Sequence, residues 1–419
     1  MNEQTQLYRA LSIASLLSLP IMAIAGVRIN VATRHTQDVD RVVERVSRHF
    51  DGELVRAMPH RRFLTVSVPE HRVESILADA ELSHICRYVE RDQFMEIPER
   101  AEWTQRIAAG LPLIQPTPVA PAKDDSTPND PGYSNQYGMQ CIDAEAAWDY
   151  SPGDSRVIVS IVDTGIDLSH ADLQANINTD LDWDFVGNDN RPKDDMGHGT
   201  HIAGVIAGVS NNNVGIAGLA QVSLVGIKSV NWLGLGRVSD VVAGVYHAGD
   251  IGSHFVNMSL GFTSDVAALR TAIKEITAEG TQVIAAAGNS GNQATTYPAA
   301  YPEVIGVSAL KEGCSQLASF SSYGTQNVEI AAPGQNIYST LPDHSTWYNR
   351  AGLFPLHYGL MSGTSMACPH VVGIAAGYKA YDFDLTPHTI RNLMNRFADN
   401  LGDPARFGSG RVDYFPFAD

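Results

Sequence analysis

Four short stretches hold residue types that can do nucleophilic or acid–base chemistry. In GLMSGTSMACPHVVG (359–373), Ser365 stands beside Gly363, Thr364 and Ala367, neighbours too small to screen it. Such a serine can be a nucleophile. Serine and threonine are also ordinary helix N-caps, and a proline such as Pro369 is tolerated in a first turn. The stretch alone therefore reads equally well as the start of a tightly packed helix. Asp163 opens DTGID (163–167) directly after an apolar run, where a carboxylate could orient an imidazole or simply satisfy a turn. His198 lies between Gly197 and Gly199 in DDMGHGTHIAGVIAGV (194–209), at the head of a helix of small residues. His201 shares its helical face and reads as a core histidine, because H-x-x-H here lacks the glutamate of the H-E-x-x-H zinc motif. Asn289, in TQVIAAAGNSG (281–291), could donate its amide to a developing oxyanion or close a turn. Singly, each residue is ambiguous. Together, Asp, His, Ser and an amide donor are the parts of a catalytic triad, a geometric device that occurs in several chain orders. The hydrolase elbow G-x-S-x-G does not apply, since position 367 is alanine.

These parts need elements that bring them together. VIVSIV (157–162), SLVGIK (223–228), HFVNMSL (254–260), TQVIAAA (281–287) and VIGVSAL (304–310) are short, mostly apolar runs. Helical patterns lie between several of them, such as SDVVAGVYHAGDI and DVAALRTAIKEITAEG. Continuous apolar strands joined by helices predict an α/β unit, a parallel sheet covered on both faces. In such sheets ligands bind beyond the carboxyl ends of the strands, where Asp163 and Asn289 stand.

Residues 27–95 form a separate small unit. VRINVAT, RRFLTVSV and HICRYVERDQFME read as extended, with a further strand around GELVRAM. DVDRVVERVSRHF, with valines at 39, 42, 43 and 46, and HRVESILADA read as helices. The order is β-α-β-β-α-β, the split-βαβ or ferredoxin-like α+β plan. Ahead of it, Arg9, the apolar run LSIASLLSLPIMAIA (11–25) and Ala23-Ile24-Ala25 have the form of a signal peptide over 1–25. After it, residues 99–126 are proline-rich and aperiodic, which predicts an extended linker.

The chain has 419 residues and a net charge of −17, with most of the acidic excess after Thr127. That balance argues against a nucleic-acid or anionic-membrane surface and is compatible with bound cations or with solubility alone. The four cysteines, Cys86, Cys141, Cys314 and Cys368, suit neither a zinc site nor a dense disulfide framework. Cys141 with Cys314 is one pairing open to them.

At DTGID (163–167), GHGTHIAG (197–204), MSLG (258–261), AAAGNSG (285–291) and GTSMACPH (363–370) the sequence resembles the subtilisin-like serine proteases. The resemblance covers roughly residues 127–419, and residues 26–98 resemble the inhibitor-type propeptide of that family. It implies a three-layer catalytic domain and a secreted, or periplasmic, monomeric endopeptidase acting on extended polypeptides. The triad would be Asp163, His198 and Ser365, with Asn289 as oxyanion donor. Substrate would lie as a strand between Gly234-Leu235-Gly236 and Ser259-Leu260-Gly261. Thr296 would floor a primary pocket of reduced depth, and Val238 and Val241 would line a second, apolar one. A structural calcium ion, with no cofactor for catalysis, would be held by Asp130, Asp172 and Asn212 and by carbonyls near Ser210, Val214 and Ile216. The propeptide would act as chaperone and inhibitor, and no membrane or nucleic-acid partner is implied. Cys368 would be a small apolar filler. A non-catalytic relative that only binds peptides, or an esterase side activity, are the competing readings. Every catalytic residue being present weighs against the first, and the glycines flanking the expected substrate strand favour peptide over ester.

Overall fold

The computed structural model describes residues 26–109 and 127–414. The expected signal peptide and most of the expected linker lie outside the described residues.

The small unit runs β1 (Val27–Thr33), α1 (Val39–Phe50), β2 (Glu53–Met58), β3 (Phe63–Val68), α2 (Val73–Leu77), α3 (Ala80–Ile85) and β4 (Cys86–Arg91). Its antiparallel sheet has the order β2-β3-β1-β4, the expected split-βαβ plan. In α1, Val39, Val42, Val46 and Phe50 recur every three or four residues and are buried, so one stripe faces the sheet. The second helix differs from expectation. It breaks at Ala78-Asp79 and restarts as α3, because the Asp79 carboxylate caps the Leu82 N–H at 2.9 Å and is gripped by Arg45 at 2.8 and 2.7 Å. The extended run consequently starts at Cys86 rather than at His84.

β5 (Phe94–Glu96) leaves the small unit, and α4 (Arg100–Ala108) follows where an extended linker was expected. The reason is local. Trp103 and Ile107, four residues apart, are both buried in the core of the large unit, and the proline-rich stretch begins only at Pro112.

The large unit opens with α5 (Tyr137–Cys141) and α6 (Ala144–Trp148). Next come β6 (Ile158–Asp163), β7 (Trp183–Asp184), α7 (His198–Ala207), β8 (Ser223–Lys228), β9 (Leu235–Arg237) and α8 (Val238–Asp250). It continues with β10 (Phe255–Met258), α9 (Ala267–Ala278), β11 (Gln282–Ala286), β12 (Ile305–Leu310), β13 (Ile330–Pro333), β14 (Ile337–Thr340) and α10 (Trp347–Arg350). β15 (Tyr358–Met361), α11 (Thr364–Tyr381), α12 (Pro387–Phe397) and α13 (Pro404–Phe407) complete it. Seven parallel strands form one sheet in the order β13-β12-β11-β10-β6-β8-β7. All five strands read from the sequence are central, and the additional β13 and β7 are its edges. An edge position is where a strand ending in Pro333 belongs, because proline cannot donate to a ladder. Two helix pairs, α8 with α9 and α7 with α11, pack against the sheet. Cys141 and Cys314 are disulfide-bonded, which leaves Cys86 and Cys368 as buried thiols.

The sequence reading put Pro369 in the first turn of its helix; it falls in the second turn of α11. Its missing N–H frees the Ser365 carbonyl, which instead accepts the Ser259 hydroxyl at 2.9 Å. The next carbonyl, that of Met366, accepts from His370 Nδ1 at 2.8 Å. The proline thus ties the head of α11 to the segment that follows β10.

The two units are joined by charge pairs and helix caps, and by Phe63, which is buried in the core of the large unit beside Tyr246. Neither α8 nor α9 carries a side-chain cap of its own. Asp92 accepts the Ser239 N–H at 2.8 Å at the start of α8. Glu90 accepts those of Ala267 and Ala268 at 3.1 and 2.8 Å at the start of α9. Around these caps Arg56 pairs with Asp240 at 2.8 Å, Arg61 with Asp250 at 2.7 Å, and Arg87 with Glu275 at 2.7 Å.

Candidate active site

Asp163 ends β6 and turns through Gly165, whose φ of +105° is a left-handed conformation that a side chain would resist. A Cβ on Gly199 would come within 2.1 Å of the Gly165 carbonyl, so this turn and the head of α7 touch backbone to backbone. Asp194, fully buried, ties them further. It accepts the Thr164 hydroxyl at 3.0 Å, the Gly197 N–H at 2.8 Å and the Thr200 hydroxyl at 2.6 Å. Thr164 in turn accepts the Gly199 N–H at 2.9 Å. The result is a 2.7 Å contact between His198 Nδ1 and Asp163 Oδ1. His201 points elsewhere, with Nε2 at 3.0 Å from the Ile337 carbonyl; burial pulls it down to about 3 and keeps it neutral.

Ser365 sits at the second position of α11, where unpaired backbone N–H groups and the helix dipole favour negative charge. Asn289, beyond the end of β11, accepts the Thr364 N–H at 2.9 Å through Oδ1, which aims its Nδ2 back over the helix start. Ser365, His198 and Asn289 converge on one group that the sequence reading left in the linker, the carboxylate of Glu99. Oε2 accepts from Ser365 Oγ at 2.8 Å and lies 3.2 Å from His198 Nε2, and Oε1 accepts from Asn289 Nδ2 at 3.0 Å. Glu99 is fully buried. Burial alone would lower the His198 pKa, but Asp163 and then Glu99 outweigh it and push it up to about 10. The Asp163–His198 leg of the expected triad is therefore made, while in place of a direct Ser365–His198 bond both groups meet the same Glu99 oxygen.

The flanking segments come together as well. β5 pairs antiparallel with β9, Met95 opposite Gly236 and Glu96 opposite Leu235. The Ile97 N–H donates to the Gly234 carbonyl at 3.1 Å. On the other side Glu96 and Gly261 exchange backbone bonds at 3.3 and 3.0 Å. The chain's own residues 94–97 thus lie as a strand between Gly234–Gly236 and the Ser259-Leu260-Gly261 segment. Met95 is buried in the same apolar cluster as Val238 and Val241. A Cβ added to Gly261 or Gly288 would reach Thr296 at 3.1 Å, so the threonine lines the recess between them.

The residues read as cation ligands also converge. Asp130 and Asp172 are both fully buried. Asp130 accepts the N–H groups of Asn211 and Asn212 at 2.8 and 3.1 Å. Asp172 accepts from Asn212 Nδ2 at 2.8 Å and from the Ile216 N–H at 2.7 Å. Val214 closes the turn onto Asn212 Oδ1 at 2.6 Å, and Ser210 Oγ donates to the Gly218 carbonyl at 3.4 Å. Burial raises both acids, Asp172 to about 6, and neither has a cationic partner among the described residues.

Glu99 and Asp194 were missed as site residues. Asp194 had a usable signal, its place four residues ahead of His198. Glu99 had none, because its part depends on where β5 docks. Cys368 is buried, and burial raises its thiol, in keeping with a filler.

A parallel sheet that delivers an aspartate–histidine pair and an amide to the head of a serine-bearing helix defines a class of hydrolase. The chain matches the Subtilase family over residues 154–410 and belongs to it: it is a subtilisin-like serine protease. It is 39% identical over 292 residues to thermitase of Thermoactinomyces vulgaris, covering 69% of this chain and 98% of that protein. Halolysin of Haloferax mediterranei is also 39% identical over 292 residues, but there the match spans only 54% of the relative. A halolysin-like extracellular serine protease of Natrialba magadii is 34% identical over 365 residues, or 83% of this chain and 64% of that protein.

Proposed function

We propose that this chain is a secreted endopeptidase, made as a self-processed precursor, that hydrolyses extended polypeptides with Ser365, His198 and Asp163. The observation that carries this reading is the meeting of Ser365 Oγ, His198 Nε2 and Asn289 Nδ2 within 2.8–3.2 Å of one carboxylate, at the end of a groove already pairing with a strand. Once that carboxylate leaves, His198 can accept the Ser365 proton as the oxygen attacks a peptide carbonyl. It then hands the proton to the departing amine. Asp163 holds Nδ1 protonated, which aims Nε2 at the serine and stabilises the imidazolium. The Asn289 amide and the N–H groups at the head of α11 receive the oxyanion. Water then releases the acyl group by the same steps in reverse.

Substrate would replace residues 94–97 between Gly234–Gly236 and Ser259–Gly261, by strand addition. Its apolar residues would enter the Val238 and Val241 pocket and the recess over Thr296. Residues 26–98 would act as propeptide. Their capping of α8 and α9 through Asp92 and Glu90 supports a chaperone role, because those helix ends lack caps of their own. Export is supported by the word extracellular in the name of one relative. No helix among the described residues is long and apolar enough to cross a membrane.

Calcium fits the Asp130–Asp172–Asn212 cluster, since two buried acids without a cationic partner call for a hard cation. Asp130, Asp172 and Asn212, with carbonyls near Ser210, Val214 and Ile216, would hold it. Its contribution would be to stability, with no part in the bond-breaking steps.

Fluorophosphonate labelling of Ser365 together with casein digestion tests the reading. Labelling and cleavage by wild type, both lost in Ser365→Ala, are expected. Absence of both in processed wild type would overturn it.

A further inference from the structure

We propose that Ser365, His198 and Asn289 form a carboxylate-binding site in the uncut chain, and that Glu99 is its resident ligand, a latch that keeps the precursor inactive. The proposal rests on the assignment of those residues to the active site.

The contacts are specific to a side-chain carboxylate. Its two oxygens meet three groups, a hydroxyl, an imidazole and an amide, and no water-exposed surface remains on it. Gly363 makes the room: a Cβ there would lie 1.7 Å from Glu99 Oε1. With Asp163 on Nδ1 and Glu99 on Nε2, the imidazole is held between two carboxylates, with Nε2 engaged by Glu99 rather than by Ser365. A histidine so held cannot take the serine proton, and an amide bonded to Glu99 cannot receive an oxyanion. The same carboxylate therefore disables the nucleophile, the base and the oxyanion donor together. The raised pKa of His198 agrees with this arrangement.

The latch is also anchored on both sides. Ahead of Glu99, β5 is paired to β9, and Met95 and Ile97 are fully buried. Behind it, α4 lays Trp103 edge-on to the His198 ring at 6.2 Å and against Phe354 at 5.3 Å. Pro98, directly before Glu99, has no N–H to offer the groove. Inhibition by this segment is thus more than occupancy of the groove by a bound strand. A strand alone would leave Asn289 and His198 free, and the glutamate removes them.

The test is the rate at which a fluorophosphonate labels Ser365 in full-length chain, read at early times on the uncut band. Wild type is compared with Glu99→Gln and Glu99→Ala, and thermal unfolding verifies the fold of each. Both variants are expected to label at least tenfold faster than wild type, with Glu99→Ala the faster. A smaller ratio for both overturns the latch. If neither variant folds, Glu99→Met, of similar length but without a carboxylate, takes their place, and the same tenfold difference decides. If no species of any variant labels, in uncut or matured form, the active-site assignment itself fails. Labelling of all species at one rate leaves that assignment standing and removes the latch alone.

Discussion

Among the described residues, two pairs of buried carboxylates balance their charge in different ways. At the candidate active site Asp163 and Glu99 flank His198 and raise its pKa to about 10. At the loop of residues 210–216, the partners of Asp130 and Asp172 among the described residues are N–H groups, the Asn212 amide and the Tyr358 hydroxyl. Buried charge without a partner is costly, and a group in that position resists ionising. The first pair is therefore complete as it stands, and its histidine is driven toward the charged form. The second is incomplete, so its carboxyls are driven toward the neutral form. The lesson is that the first pair balances its charge with a side chain of the protein, whereas the second, on the reading proposed above, would balance it with a hard cation.

The comparison can be broken most severely at the first site. Ser365→Ala should lower casein hydrolysis by about 10⁶-fold, the scale known when subtilisin loses its nucleophile, while removing one of the donors to Glu99. Next in size, Asn289→Ala should cost about 10²–10³-fold in turnover on a peptide substrate, the magnitude known for the family's oxyanion asparagine. A raised KM with kcat unchanged would argue that Asn289 holds substrate rather than the transition state.

The pH dependences of the two pairs should have different origins. In the uncut chain His198 faces Asp163 from β6 and Glu99 from the segment before α4, with neutral His201 one turn along α7. Its pKa is raised from 6.5 to about 10, so its contribution to stability is full below pH 6.5 and is lost as pH climbs through 10. The melting temperature of full-length Ser365→Ala should fall over that window, and Glu99→Gln in the same background should flatten the fall. Asp172 behaves otherwise. Its folded pKa lies above 3.8, at about 6, so the metal-free fold binds more protons than the unfolded chain and loses stability as pH rises from 3.8 to 6. Calcium should abolish that loss. Chelation at neutral pH should lower the melting temperature by about 5 °C, following the mass-action stabilisation of a ligand bound only to the folded state. The smallest effect concerns neither pair: Thr296→Gly should improve cleavage after large aromatic residues by about tenfold, measured with a peptide library varied at that position.

The core of the fold was readable because each of its signals is local. The five central strands are apolar runs, α1 carries its valines at helical spacing, and the candidate catalytic residues stand at strand ends or helix starts marked by glycine. The edge strands β7 and β13 were not read, since two to four residues carry too little pattern. Helix α4 was obscured because its arginines and its one glutamate resemble those of a linker, and its two buried residues have meaning only against the large unit. Pro369 was placed one turn early for a related reason. That position is affordable only because Ser259, 106 residues distant, takes the carbonyl it frees.

By itself the sequence determined the chemistry on offer: a serine, a histidine, an aspartate and an amide, each at the end of a regular element whose local pattern is short-range. It also determined the small unit and its order of strands and helices. Only the tertiary structure decided which carboxylate faces the serine. Glu99 lies 266 positions from Ser365, and nothing in its neighbours distinguishes it from the other glutamates around it. Its part is created by the pairing of β5 with β9 and by the burial of Trp103. Such non-local contacts carry no periodic signature, because they depend on where two distant surfaces meet.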